Sequence, residues 1–282
     1  MPARILLTLV LVLGTATFVF VNAGSQDSKT PTLFAQSAQR ILQSEGEGKT
    51  VSYILLDATT GIVIATNWND LEKPVPVGSL IKPFTALAYG EPRAFRYPKY
   101  FCHGTADGCW RPGGHGEVDI KRAIAQSCNS YFRSLTKMMT SADFRPASAQ
   151  YGIPVPREQG AGAALAGLGN AWPIAPLDIG RAYLELIRHR QDPGIKDIVD
   201  GLRESASIGT GAQVDAALHY TTALVKTGTA TCTHAIHAPG DGFVVALAPA
   251  DQPQVLLLVR VHAVPGASAG RIAGKMLQRI VE

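Results

Sequence analysis

The sequence predicts an α/β chain of the α+β type: one antiparallel sheet flanked by helices, with an all-helical subdomain inserted between its strands. Three observations carry this. Strand-like runs stand near the start, at 51–57 and 62–66, and again near the end, at 222–229, 242–248 and 254–262. The long stretch between them reads as helix and irregular loop. The chain then closes on an amphipathic helix at 267–281. With 282 residues, 46% hydrophobic and 17% charged, there is ample core and no case for disorder. A net charge of +4 without a long basic run argues against nucleic-acid binding.

In order, Arg4 precedes an uncharged apolar run, 5–21, that ends in the small residues of Val21-Asn22-Ala23. Residues 1–23 therefore read as a signal peptide or membrane anchor, with Arg4 cytoplasmic and the remainder exported. Residues 24–48 read as a linker with a first helix at 33–43, on which Phe34, Ala38, Ile41 and Leu42 share a face. The strands 51–57 and 62–66 form a hairpin about Thr59-Thr60-Gly61. Pro74, Pro76 and Gly78 keep the chain extended up to Ser79, because a residue before proline avoids helical geometry. A helix then begins at Ser79 and tolerates Pro83 in its first turn, where N–H groups lack intrahelical partners. Residues 90–116 are irregular. Helix is expected over 119–126 and 131–139, broken at Ser127-Cys128-Asn129, and Ser141 is expected to cap a helix ending near Gly152. The clearest amphipathic helix is 176–190, with Pro176 in its first turn. After His219 the character changes to strands, the last two so continuously apolar that both faces must be covered. Residues 49–282 thus form one domain, with a helical subdomain over about 84–220.

Three short patterns carry the chemistry. Ser79 stands three residues before Lys82, within Val77-Gly78-Ser79-Leu80-Ile81-Lys82. A serine hydroxyl needs an adjacent base to act as a nucleophile, and residues three apart share a helix face. Ser134 and Lys137 repeat the spacing but lie inside a helix, with no turn to expose the hydroxyl. Ser127-Cys128-Asn129 alone is no more than a helix break. Lys226-Thr227-Gly228-Thr229 falls on a strand, where Gly228 would clear space for a substrate lying alongside. Each pattern is weak by itself; their order and settings give them weight.

The cysteines and histidines carry a second expectation. Cys102 and Cys109 bracket a short loop, and an exported chain permits a disulfide between them. Cys128 reads as buried packing on the far side of its turn. Cys232, His234 and His237 have zinc-like spacing but no evident fourth ligand, so no metal and no cofactor are expected.

With these three motifs in this order, the chain resembles the transpeptidase domain of penicillin-binding proteins, class B most closely. The resemblance extends to Leu55-Leu56-Asp57-Ala58-Thr59-Thr60-Gly61, to His115-Gly116-Glu117-Val118-Asp119-Ile120, to Ser127-Cys128-Asn129-Ser130-Tyr131-Phe132, to Ile174-Ala175-Pro176-Leu177 and to Gly209-Thr210-Gly211. It runs from Val51 to the end and implies the fold shared by serine β-lactamases and transpeptidases. It also implies acyl transfer from D-Ala-D-Ala peptidoglycan stem peptides, with covalent inhibition by β-lactams. In that scheme Ser79 attacks, Lys82 is the base, and burial and the charge of Lys226 lower its pKa. Backbone N–H groups of Ser79 and Thr229 form the oxyanion hole. Ser127 relays the proton, Asn129 holds the substrate amide, and Lys226 and Thr229 bind its carboxylate on the Thr227-Gly228 strand. The setting implied is the periplasm or the outer face of the cytoplasmic membrane, with cell-wall synthesis proteins as partners. Residues 24–49 leave no room for the class B pedestal domain, and Leu80 and Ile81 follow Ser79 where Thr and an aromatic or aliphatic residue are common. The alternatives are a D,D-carboxypeptidase, a serine β-lactamase, a β-lactam or muropeptide sensor, and an inactive scaffold. Against a β-lactamase, the Glu158 region lacks the Asn that class A enzymes place there, and Asn129 stands where class D enzymes carry Val. Tyr151-Gly152 is faintly similar to the third class D motif.

Overall fold

Side chains alternate across a strand, and β1, Val51–Asp57, divides its residues between two cores accordingly. Tyr53 and Leu55 enter one cluster, while Ile54 and Leu56 enter the other. This is a computed structural model, and it describes residues 32–47, 50–232 and 237–282. The apolar run 5–21 lies outside them, as does His234 of the Cys232–His237 stretch. Among the described residues no helix is long and apolar enough to cross a membrane.

The main sheet is antiparallel, ordered β2-β1-β9-β8-β7, with β2 at Val63–Thr66, β7 at Leu224–Ala230, β8 at Asp241–Ala248 and β9 at Val255–Val261. Strands from the two ends of the sequence therefore meet at β1 and β9. Every residue of β8 and β9 is buried, as their apolar runs require. Val244, Ala246, Leu257 and Val259 join Tyr53 and Leu55 beneath α1, Leu33–Gly46, and α10, Gly266–Val281. Thr32 caps α1 by accepting from the Ala35 N–H, and Gln39 exchanges hydrogen bonds of 3.0 and 3.2 Å with the Thr66 backbone. Ala38 and Leu42 make the inward face of α1, while Phe34 in its first turn is 49% exposed.

The other face of the sheet carries the helical insertion. After the short β3, Val75–Pro76, a 3₁₀ turn leads into α2, Lys82–Gly90. A small hairpin follows, β4 at Tyr100–Cys102 and β5 at Gly116–Val118. Then come α3, Ile120–Ala125, α4, Asn129–Thr136, and α5, Arg145–Tyr151. The cap before α5 is Thr140, not Ser141: Thr140 and Asp143 form a reciprocal capping box. The short α6, Ala161–Leu165, precedes β6, Pro173–Ile174, which pairs with β3. The long α7, Pro176–Arg188, follows as expected.

The short α6 and α9, Ala212–Asp215, were not legible in the sequence, and neither was one long helix, α8, Ile195–Ile208. Gly201 sits at its centre and weakens the helical signal. A Cβ there would meet the Ile124 side chain and the Lys121 carbonyl at 2.8 Å, so glycine is what lets α8 lie against α3.

The expected Cys102–Cys109 disulfide is absent: all four cysteines are free and buried. Cys128 is buried on the side of its turn away from the cleft that Ser127 and Asn129 line, as expected, and there it faces Cys109 across 3.9 Å.

Candidate active site

Ser79 lies in a 3₁₀ turn, Gly78–Ile81, that runs directly into α2. The Lys82 N–H bonds to the Ser79 carbonyl. In a 3₁₀ turn residues three apart eclipse one another, so the turn sets Lys82 beside Ser79 more directly than an α-helix would. Gly78 takes φ +56°, and any side chain there would strike the Thr229 carbonyl. The turn is thus pressed against β7, the edge strand of the sheet. Gly228 serves the same contact: a Cβ on it would meet the Val77 carbonyl at 2.7 Å and Leu80 at 3.1 Å. The sequence reading gave Gly228 the task of clearing space for substrate; its bare backbone also admits the serine turn. Tyr183 of α7 holds the turn from behind, donating to the Leu80 carbonyl at 2.7 Å.

The second motif occupies the break between α3 and α4. Ser127 adopts φ +50°, a left-handed conformation that L-residues rarely take. This turns its side chain inward and lets α4 begin at Asn129. Strain of that kind gathers where side-chain placement matters.

A buried chain of polar groups joins the three motifs. Lys82 Nζ donates to the Ser127 carbonyl at 2.9 Å, Ser127 Oγ at 3.3 Å and Asn129 Oδ1 at 2.6 Å. Lys226 Nζ reaches the same Ser127 Oγ at 3.0 Å and the Thr227 carbonyl at 2.7 Å. Both lysines are fully buried, which is rare without a carboxylate partner. Burial holds the Lys82 amine down to about 7; the neighbouring Cys128 and Cys109 oppose this, and nearby Arg133 adds to it. Burial, one of the two expected causes, is the largest, whereas the expected cation Lys226 is not among the causes at Lys82. Burial also pushes Lys226 well below the ordinary lysine value, with Lys82 adding to the effect.

Ser79, Ser127, Asn129, Thr227, Gly228 and Thr229 line one cleft of about 470 Å³. Every predicted site residue is therefore at this cleft or directly behind it. Lys226 is behind it: its amine is covered, whereas the Thr229 side chain is exposed and accepts from the Gly266 N–H at 2.9 Å. Thr210 and Trp110 also line the cleft and were assigned no role from sequence. Thr210 accepts a 2.6 Å bond from Thr227 Oγ1, and its segment was part of the family resemblance. Trp110, 51% exposed, stands on an irregular loop where nothing in the sequence marks it.

Residues 51–185 match the family described as penicillin binding protein transpeptidase domain. No curated protein sequence matches the chain. Among solved structures, PBP2 of Pseudomonas aeruginosa in complex with WCK 5153 superposes with a TM-score of 0.73 at 16% identity, over 87% of this chain and 73% of that one. PBP2 of Helicobacter pylori, solved in a complex with MreC, gives 0.72 at 16% identity, over 85% of this chain and 61% of that one. The D,D-transpeptidase domain of a peptidoglycan glycosyltransferase from Eggerthella lenta gives 0.70 at 15% identity, over 86% of this chain and 80% of that one. At such identities the likeness is one of fold, and the fold is that of the serine acyl transferases.

Proposed function

We propose, for a chain whose residues 51–185 belong to the penicillin-binding protein transpeptidase family, that it is a D,D-transpeptidase acting through an acyl-enzyme on Ser79. The observation that carries this reading is the buried chain Lys82–Ser127–Lys226 set against the serine turn at the cleft. Ser79 Oγ attacks the carbonyl of the penultimate D-alanine of a stem peptide, and its proton passes to neutral Lys82. A neutral amine has two N–H groups and one lone pair, so one of the three Lys82 contacts is given up as the lone pair turns to the Ser79 hydroxyl. Ser127 can release that contact because its hydroxyl rotates and its Oγ also accepts from Lys226. The proton then moves through Ser127 to the departing D-alanine nitrogen as the C–N bond breaks.

Asn129 Oδ1 is engaged by Lys82, which leaves the amide nitrogen to donate to a substrate carbonyl. As an edge strand, β7 turns alternate backbone N–H groups away from β8, which supports Thr229 and Ser79 as oxyanion donors. The covered amine of Lys226 supports a relay role through Ser127, leaving carboxylate recognition to Thr227, Thr229 and Thr210. No acidic residue is among the described residues that line the cleft, and Glu158 is exposed elsewhere. That favours a long-lived acyl-enzyme awaiting an amine acceptor over a β-lactamase that hydrolyses it. The uncharged run after Arg4 supports an exported chain, in the periplasm or at the outer face of the membrane. The Helicobacter pylori complex with MreC suggests a cell-wall protein as partner.

The test is intact mass after incubation with a fluorescent penicillin. One stable adduct is expected on the wild type and none on Ser79→Ala. An unlabelled wild type, or an adduct that survives the substitution, overturns the assignment.

A further inference from the structure

Three cysteines and a histidine from four separate segments converge behind the active site. Cys102 ends β4, Cys109 follows the 3₁₀ turn Gly104–Asp107, His115 precedes β5, and Cys128 caps α4. All four side chains are buried, and their ligand atoms lie within 4.8 Å of one another. His115 Nδ1 is 3.5 Å from Cys102 Sγ and 3.6 Å from Cys109 Sγ, and Cys109 Sγ is 3.9 Å from Cys128 Sγ. A tetrahedral ion with bonds of about 2.3 Å to sulfur and 2.0–2.1 Å to nitrogen requires ligand–ligand edges of roughly 3.5–3.8 Å. The three separations of 3.5, 3.6 and 3.9 Å are close to those edges, and the other three are no longer than 4.8 Å, so a small contraction of the cluster completes such a tetrahedron. A disulfide would consume only two of the sulfurs and leave a buried thiol and imidazole beside it.

Hydrogen-bond donors surround the sulfurs. Ser130 Oγ donates to Cys102 Sγ at 3.0 Å and lies 3.4 Å from Cys128 Sγ. Backbone N–H groups of Gly104, Arg111 and Tyr131 are directed at Cys102, Cys109 and Cys128 respectively. His115 Nε2 is buried without a partner, which leaves Nδ1 as the histidine atom directed into the cluster. The loop is built to bring these groups together. Gly104 and Gly114 take positive φ where a side chain would strike the facing backbone, and the β4–β5 ladder pairs Cys102 with Gly116, next to His115.

We propose that Cys102, Cys109, His115 and Cys128 bind one zinc ion in a closed, tetrahedral, structural site. Four protein ligands leave no open position, and a tetrahedral thiolate-rich donor set with one imidazole selects zinc over magnesium or calcium. The site has a clear task. The β4–β5 hairpin consists of two three-residue strands, too little to hold itself together. Zinc would tie that hairpin to Cys128, which stands between Ser127 and Asn129 of the buried relay. His115 in turn packs edge-on against Trp110, a lining residue of the cleft, with ring centroids 5.4 Å apart. The metal would therefore fix both the relay turn and one wall of the cleft without touching substrate. The set is not legible in the sequence, where its ligands are scattered over 27 positions, from Cys102 to Cys128.

Elemental analysis of the full chain, purified without chelator, should find about one equivalent of zinc per chain. Cys232→Ser, outside the cluster, should keep it, and Cys109→Ser and His115→Ala should lose it. Because those two variants could fail to fold, two further measurements use folded protein. Cobalt(II) exchanged into the wild type should give a thiolate-to-cobalt charge-transfer band with tetrahedral d–d intensity. Ser130→Ala, which removes only a supporting donor, should weaken zinc binding roughly 10–100-fold in competition with a chromogenic chelator. A folded, metal-free wild type that gives no cobalt–thiolate band overturns the proposal, as does a disulfide joining any two of the three cysteines. Metal content and the cobalt spectrum do not depend on Ser79 chemistry, so this site and the proposed transpeptidase activity fail separately.

Discussion

Lys82 can take a proton from Ser79 only when it is neutral, and burial sets where that occurs. With its amine held at about 7, the acylating form is lost as pH falls through that value. The second-order rate of penicillin acylation should rise through pH 7 to a plateau, and at pH 6 it should be about tenfold below that plateau. A flat profile between about pH 5.5 and 8.5 would remove Lys82 from the role of base. The linkage to stability has the matching sign. Between about 7 and the ordinary value of 10.5 the unfolded chain holds the extra proton, so this group's contribution to stability rises with pH across that window. Lys226 can be separated from Lys82 by comparing two acyl donors. A charge-assisted contact to a carboxylate contributes roughly 1.5–3 kcal/mol, so a carboxylate-binding lysine matters about tenfold or more for a charged donor and little for a neutral analogue. The amine of Lys226 is covered and bonded to Ser127 Oγ at 3.0 Å. Lys226→Ala should therefore slow both donors by a similar factor. A loss confined to the charged donor would restore the carboxylate-binding role.

At the scale of elements, what was legible followed from local chemistry. Strands β1, β8 and β9 could be read because apolar runs or alternation need no knowledge of the partner strand. Ser79, Ser127 and Lys226 could be read because their neighbours punctuate the chain: prolines before the first, a helix break at the second, a strand at the third. What escaped depends on approach between distant segments. α8 escaped because Gly201, a poor helix former, is required by the α3 backbone and Ile124, not by its own helix. Gly228 does line the cleft, but its sequence does not reveal that Val77 and Leu80 press on it from the other side. Cys128 was read as simple packing because Cys102, Cys109 and His115 reach it only through the β4–β5 hairpin and its loop. The bridge expected between Cys102 and Cys109 rested on proximity in sequence, and the turn over Gly104–Asp107 spends that proximity on a four-group cluster.

At the scale of the molecule, the site belongs to no single part. Ser79 and Lys82 stand where the chain leaves the sheet, Ser127 and Asn129 lie within the helical insertion, and Lys226 returns on edge strand β7. The sheet itself is completed only when β1 pairs with β9, some two hundred residues later along the chain. The relay can form only when both ends of the chain and the insertion have docked, so activity and global structure should be lost together. In a urea titration, the loss of fluorescent-penicillin acylation and the loss of far-ultraviolet circular dichroism should follow one transition. Leu42→Ala provides the control at a distance. Leu42 is fully buried on α1, in the cluster on the sheet face opposite the helical insertion. Removing a buried leucine side chain costs roughly 2–5 kcal/mol. Both midpoints should therefore fall by the same amount of urea, with the acylation rate of the folded variant unchanged in buffer. If acylation disappears at lower urea while the dichroism persists, the insertion opens independently of the sheet, and the relay is held by local contacts alone.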